Sequence, residues 1–493
     1  MNTLRAIENI PVTYRAKEMG RVCHWLRAGE SGSVVGLSGC GQNNFLNFLC
    51  HRPDALRPYL GDEADQMAVI PVDLNHLPTN DTVTLYLVIL RAFYWVSDRL
   101  PSSLREAVTE LYREHRATQN PFLAQSALYE TLRAFRAEGI RATLALYHFD
   151  DFCQEADPRL FATLRGLRDS YKEMLSFIVG MHKEVIYLPD PEALGEMYTL
   201  LDGHVCWIGP MNEEDSRLVI NQGLYAASES LADNELQAIL DLSGGFPVLL
   251  RFITAWCVQQ NPKPPPEQWL NLLANDHLFE HRFKRLWSGL TEEEQSALYD
   301  AVCMEMQRVQ EAGDDREQIE QIINQIDETY GAVLTGLITK GICVRTERGW
   351  QIKSKLWAEY IERIGPGARG RIWIEKNTEV IYQGNTPLED ITPLEKTLLQ
   401  ILILNPHKSH TYDTLIDTVW PKADDDESDT MHRRTGRKSN NWNKDKTDLQ
   451  ALIMRVRKKI GDDSGDPHYI VNWRGRPEGG YRFYPEGRPL NAR

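Results

Sequence analysis

Gly36-Leu37-Ser38-Gly39-Cys40-Gly41-Gln42-Asn43 joins an apolar run, Ser33-Val34-Val35-Gly36-Leu37, to a stretch that begins Phe45-Leu46-Asn47-Phe48-Leu49. The run predicts a short buried strand and the stretch predicts a helix. Between them Gly36 and Gly41 have the G-x-x-x-x-G spacing of a P-loop. Glycines at Gly36, Gly39 and Gly41 let backbone N–H groups of the loop, Cys40 included, turn inward around phosphates, and the helix start at Asn43 and Asn44 adds positive partial charge. A lysine should follow, to reach the terminal phosphates, and then a serine or threonine, to hold magnesium. This chain has Gln42 and Asn43 instead. The frame is present without its two chemical groups.

Thr143-Leu144-Ala145-Leu146-Tyr147-His148-Phe149 predicts a hydrophobic strand running into Asp150-Asp151, the pattern of a Walker B motif. In that chemistry one carboxylate positions magnesium and the second polarises the attacking water. Further strands are expected at Met67–Asp73 and Leu175–Gly180. Helical stretches separate them, which implies a parallel sheet with helices on both faces.

The 493 residues call for about three domains at ~150 residues each. A hydrophobic share of 42% and a charged share of 25% fit a globular chain. No apolar run reaches the ~18 residues of a membrane span, and no signal-peptide core follows Met1, so a cytoplasmic protein without membrane contact is expected. The eight cysteines contain no C-x-x-C pair, which argues against zinc and against a disulfide framework. No metal site is expected, and neither H-E-x-x-H nor G-x-S-x-G occurs.

Several stretches resemble the STAND class of AAA+/ORC-related signalling ATPases. Tyr14-Arg15-Ala16-Lys17-Glu18 stands at the adenine-side motif, and Leu164–Asp169 precedes the fourth strand. Trp207–Asp215 resembles the start of the helical lid. Leu242-Ser243-Gly244-Gly245-Phe246-Pro247 matches the Gly-Gly-x-Pro motif, and Arg251 is in register with a sensor arginine. The resemblance implies ATP or ADP as ligand, with Tyr14, Arg15, Pro247 and Arg251 beside the loop residues. Loss of the lysine removes a charge that stabilises the transferring phosphoryl group, so little or no hydrolysis is expected, and a magnesium site is doubtful. Asn261–Pro266 reads as a stiff spacer, and Leu290–Ile352 as helices followed by a hairpin, a middle winged helix.

The net charge is −15, yet its distribution is uneven. From Pro366 onward there are 21 basic against 19 acidic residues, and within Arg433–Arg488 the ratio is 14 to 7. Gly365-Pro366-Gly367 marks a boundary, and two short strands follow. Ile391-Thr392-Pro393-Leu394-Glu395 opens a capped helix, a second runs from Tyr412 to Trp420, and a third from Leu449 to Ile460. Tyr469–Trp473 and Tyr481–Tyr484 predict a hairpin. That order resembles the OmpR/PhoB-type winged helix-turn-helix effector domain. The resemblance implies that the third helix enters the major groove and the wing reaches the minor groove. Arg455, Arg457, Lys458 and Lys459 would then meet DNA from the helix, and Arg474, Arg476 and Arg482 from the wing. Double-stranded DNA is the expected partner. RNA polymerase and a second copy of the chain remain open.

The fold class expected is multidomain α/β plus α+β, in four parts. A P-loop NTPase-like core spans 1–205, a helical lid 206–280, a middle winged helix 281–365 and the C-terminal winged helix-turn-helix 366–493. Two functions fit this order: a DNA-binding transcriptional regulator governed by a degenerate nucleotide module, or an active ATPase switch whose winged helices bind other proteins.

Overall fold

Apolar runs with no polar alternation become strands buried on both faces, and five of them pair here in parallel. They are β1 (Gly32–Val35), β2 (Met67–Asp73), β3 (Arg141–Tyr147), β4 (Leu175–Met181) and β5 (Val205–Trp207), in the order β2-β3-β4-β1-β5. Every residue of β1 and β4 is buried, whereas the edge strands β2 and β5 are partly exposed. The two polar side chains facing each other inside the sheet, Thr143 and Ser176, satisfy one another at 2.9 Å. Helices pack on the sheet through Phe93, Phe135, Phe149, Phe161 and Leu164, and this is a P-loop NTPase-like core.

The computed structural model describes residues 7–227, 229–274, 276–299, 316–346, 349–364, 372–375, 378–383, 386–388, 391–420, 446–462, 464–465, 467–474, 479–485 and 488. The chain divides into two compact units. The first comprises Met1–Leu290, Ile338–Val344 and Lys353–Trp357, and the second Thr291–Leu337, Arg345–Ile352 and Ala358–Arg493.

In the first unit the glycine loop leads from β1 into α1 (Gln42–His51). The strand expected to run to Phe149 stops at Tyr147, because His148 adopts a left-handed conformation (φ 56°) that ends the extended backbone. Helix α2 (Phe149–Glu155) starts there, so Asp150 and Asp151 lie in a helical turn, not at a strand end. The boundary expected at residue 205 falls on β5, whose Ser33↔Val205 pairing makes it part of the sheet. The expected lid is helical: α3 (Glu213–Ala227), Asp233–Ser243, and α4 (Pro247–Gln259), which has proline in its first turn. The proline-rich stretch Asn261–Pro266 is exposed or half-exposed, and one of its carbonyls is tied to the helix that follows. The fully buried Trp269 donates its indole N–H to the Pro264 carbonyl at 2.8 Å and meets Trp256 edge-on. Helix α5 (His277–Ser288) follows.

The second unit begins with a reciprocal cap, Thr291 with Glu294, on the helix Glu292–Leu298. Helix Arg316–Thr339, a ribbon of β6 (Cys343–Thr346) and β7 (Gly349–Ile352), and helix Lys355–Ile364 succeed it in the chain. Arg348 of the expected turn and the boundary Gly365-Pro366-Gly367 lie outside the described residues.

Further along the second unit, β8 (Ile372–Ile374), β9 (Ile381–Gln383) and β10 (Thr386–Pro387) form one antiparallel sheet. Helices α6 (Pro393–Leu404), α7 (Tyr412–Val419) and α8 (Lys446–Ile460) pack their apolar stripes together. Leu398, Leu402, Leu415, Leu449, Leu452, Ile453 and Val456 are buried there, each contributing about 1.5–3 kcal/mol. The hairpin of β12 (Ile470–Trp473) and β13 (Gly480–Phe483) gains a third strand, β11 (Ser409–Thr411), which sequence reasoning did not anticipate. Three residues are too short to show alternation, and their pairing with β13 is a tertiary event. Residues 421–445, the greater part of the long link before α8, lie outside the described residues.

Asp462 fixes the passage from α8 into the hairpin. Its carboxylate is fully buried and accepts the backbone N–H groups of Tyr469 and Ile470 at 2.9 Å each, and that of His468. The Arg457 guanidinium lies 3.6 Å from the same group. Asp462→Ala would leave a buried cation and three amides unpaired, an effect of about 3–5 kcal/mol. Calorimetric melting should show that loss in the second unit.

Candidate functional site

The carboxyl ends of β1, β2, β3 and β4 meet at one rim of the sheet, where open parallel sheets hold their ligands. The glycine loop turns there with Gly39 at φ 90° and Gly41 at φ 87°, a conformation that L side chains resist. It opens on a cavity of about 510 Å3. Of the expected nucleotide-site residues, Gly39, Gly41, Gln42, Asn43, Asn44, Pro247 and Arg251 line it. The amides of Gln42, Asn43 and Asn44 belong to the first turn of α1, where no carbonyl of the helix can reach them.

Gly36, Cys40, Tyr14 and Arg15 are not among the lining residues. Arg15 is 2% exposed and works from beneath the loop. Its guanidinium donates to the Cys40 carbonyl at 2.9 Å and the Gly209 carbonyl at 2.7 Å, while Asp215 accepts its backbone N–H. Arg15 therefore braces the loop and does not face a base. Tyr14 is also buried, edge-on to Phe48, and burial raises its phenol. Burial likewise pushes the Cys40 thiol up to about 12, which leaves it unreactive.

Gln42 stands where a P-loop has its lysine, yet its side-chain amide turns to β1. Its Nε2 donates to the Val34 carbonyl at 2.9 Å, and a Cβ on Gly180 would stand 2.8 Å from the same nitrogen. Asn43 takes the magnesium-hydroxyl position, and its Nδ2 lies 3.2 Å from His148 Nε2. His148 Nδ1 in turn lies 3.0 Å from Asp73 Oδ1. Neither His148 nor Asp73 stands out in the sequence as a site residue. His148 is one residue past β3, the spot where a Walker B carboxylate would sit, and the residue after it, Phe149, is wholly buried.

Asp150 and Asp151 diverge from their expected role. Asp151 is exposed on α2, and Asp150 is buried against the end of β4. Asp150 Oδ2 accepts the His182 backbone N–H at 2.9 Å and faces its Nδ1 at 2.8 Å. Burial alone would raise the Asp150 carboxyl, but the bond to His182 holds it below its ordinary value. The same bond raises the imidazole of His182, which lines the cavity. Arg282 also lines the cavity, with its guanidinium 4.6 Å from the Phe252 ring. Sequence reasoning missed His182 and Arg282 because each lies far from the motif it joins.

In the second unit the basic helix splits its charges. Arg455 and Lys458 are exposed. Arg457 is 6% exposed, donates to the Ile470 carbonyl and pairs with Asp462, so it is a brace and not a DNA contact. Lys459 is half-buried and donates to Glu395 at 2.9 Å, and Arg455 Nε lies 3.9 Å from the same carboxylate. Burial would raise Glu395, and the bonds from Lys459 and Thr392 hold it down. Arg474 is exposed at the hairpin end, Arg482 is held by the Ser409 hydroxyl at 2.6 Å, and Arg476 lies outside the described residues. Thr447, Gln450, Ala451, Met454, Arg455 and Lys458 share the exposed face of α8. A search guided by charge passes over Gln450 and Met454, which are neutral.

The His182–Asp150 pair gives a pH signature. The raised imidazole contributes stability that is full below its ordinary value of 6.5 and is lost as pH rises through the folded value. The lowered carboxyl contributes above its ordinary 3.8 and is lost as pH falls through its folded value. The melting-temperature gap between wild type and His182→Gln should therefore be widest between about pH 4 and 6.5 and narrow toward alkaline pH.

No protein-family model matches the chain, and no curated protein does. Among solved structures, it is similar to a Walker-type ATPase of Pyrococcus abyssi, at 15% identity over 71% of this chain and 95% of that one, with a TM-score of 0.40. The ORC2 protein of Aeropyrum pernix in its ADP form is 12% identical over 72% of this chain and 94% of its own, with a TM-score of 0.37. The DNA-binding domain of Klebsiella pneumoniae RstA, solved with the RstA box, is 18% identical. It covers 24% of this chain and 93% of its own, with a TM-score of 0.16.

Proposed function

We propose that the protein is a DNA-binding regulator in which a nucleotide-binding core that does not hydrolyse ATP governs a C-terminal winged helix. The observation that carries this reading is the exposed face of α8. Two cations, Arg455 and Lys458, flank neutral side chains that suit base edges, and a hairpin with exposed Arg474 ends beside the same buried core. Arginine and lysine meet phosphates or guanine, glutamine suits adenine, and an apolar side chain suits the thymine methyl. Met454 is 64% exposed on that face.

The residues at the rim of the sheet support the absence of turnover. Gln42 faces the sheet, Phe149 offers no base, and Asp150 is committed to His182. Purified protein should release phosphate from ATP no faster than Asp151→Ala does. Turnover abolished by that substitution would restore the reading of an active ATPase switch.

Duplex binding tests the main proposal. Changing Arg455, Lys458 and Arg474 together to alanine should flatten the log–log salt slope by about 0.9 for each phosphate that is no longer neutralised. An unaltered slope would sink the assignment. Arg457→Ala should instead lower stability.

A further inference from the structure

Building on the nucleotide reading of the glycine-loop cavity, we infer that it takes the phosphates of ATP or ADP without a divalent cation, their charge being met by Arg251 and Arg282. A P-loop site normally holds magnesium through a hydroxyl at the start of the helix and a carboxylate at the end of the neighbouring strand. The residues present do not fit that ion. The hydroxyl position carries Asn43, whose Nδ2 faces His148 at 3.2 Å. The strand-end position is His148 itself, an imidazole, which brings no negative charge in either protonation state. Of the nearby carboxylates, Asp73 faces His148 at 3.0 Å, Asp150 faces His182 at 2.8 Å, and Asp151 is exposed on α2.

At this rim, among the described residues, two buried oxygens remain without a hydrogen-bond partner, Asn43 Oδ1 and Asp150 Oδ1. One is a neutral amide oxygen, and the other belongs to a carboxylate already hydrogen-bonded to His182 through its second oxygen. Magnesium dehydrates reluctantly and needs near-ideal octahedral oxygen ligands, so this pair is a poor host. Among the described residues, no group of three His, Cys, Asp or Glu side chains is arranged for a metal.

Positive charge comes from the protein instead. Arg251 stands one turn into α4 and Arg282 on α5, and both line the cavity opposite the glycine loop. Among the described residues neither guanidinium has a carboxylate partner, and Arg282 is positioned over the Phe252 ring at 4.6 Å. Unpaired guanidiniums bind phosphate oxygens in bidentate fashion, and the amides of Gln42, Asn43 and Asn44 complete the cradle. Such a site has the electrostatics to hold a polyphosphate and lacks the ion that would activate it.

Calorimetric titration of the full-length protein with ATP and with ADP, in magnesium buffer and in EDTA, tests this. The dissociation constants in the two buffers should agree within about twofold. Changing Arg251 and Arg282 together to alanine should weaken binding about tenfold or more in both. His148→Asp places a carboxylate at a position whose left-handed backbone aspartate tolerates, and should make binding about tenfold weaker in EDTA than in magnesium. Wild-type binding that needs magnesium, or an arginine-pair variant that binds as wild type does, would overturn the inference and leave nucleotide binding standing. Failure of ATP and ADP to bind in either buffer would overturn both.

Discussion

The side-chain amide of Gln42 donates to the Val34 carbonyl at 2.9 Å, and the chemistry available at the rim of the sheet depends on that bond. A lysine there would be drawn toward an anion in the cavity, because a buried ammonium facing a strand carbonyl costs several kcal/mol. Glutamine carries no charge to solvate. It can close a backbone valence inside the protein and fill the space that Gly180 leaves. The loop keeps its inward amides while the group that would act on a phosphoryl is withdrawn. Asn43, His148 and Asp73 then form a chain of polar side chains from the start of α1 to the end of β2.

The same logic organises the basic helix of the second unit. A helix that must both pack and face a ligand divides its long side chains by angle. Arg457 points to the interior and is neutralised by Asp462, which also collects three backbone amides of the approaching hairpin. Lys459 is neutralised by Glu395, the residue that caps α6. With those two charges consumed in holding helix to hairpin and helix to helix, Arg455 and Lys458 remain outward beside Gln450 and Met454. Positive charge on α8 is therefore divided, structural on one side and solvent-facing on the other.

Much of the framework is legible in the chain. Met67–Asp73 reads as a strand with the bounds it has, because a uniformly apolar run of that length in a parallel sheet leaves little freedom. The start of α6 at Thr392, Pro393 and Glu395 is equally clear, since capping chemistry is local. His148 is not legible as the end of β3, because a left-handed non-glycine residue has no sequence signature and the apolar run continues through Phe149. Strand β11 is invisible for the opposite reason, being three residues that pair only because β13 is there.

Local order of residues determined the glycine loop, the helix caps, the parallel strands and the basic character of the last helix. Each depends on backbone preferences or on hydrophobic periodicity within a dozen residues. What each polar side chain does was decided by tertiary structure alone. In the sequence Arg15, Gln42, Asp150 and Arg457 all read as facing a ligand, and all four hydrogen-bond to partners inside the fold. A buried polar group must find a partner wherever the packing provides one, and those side-chain partners lie between 8 and 194 residues away in the chain.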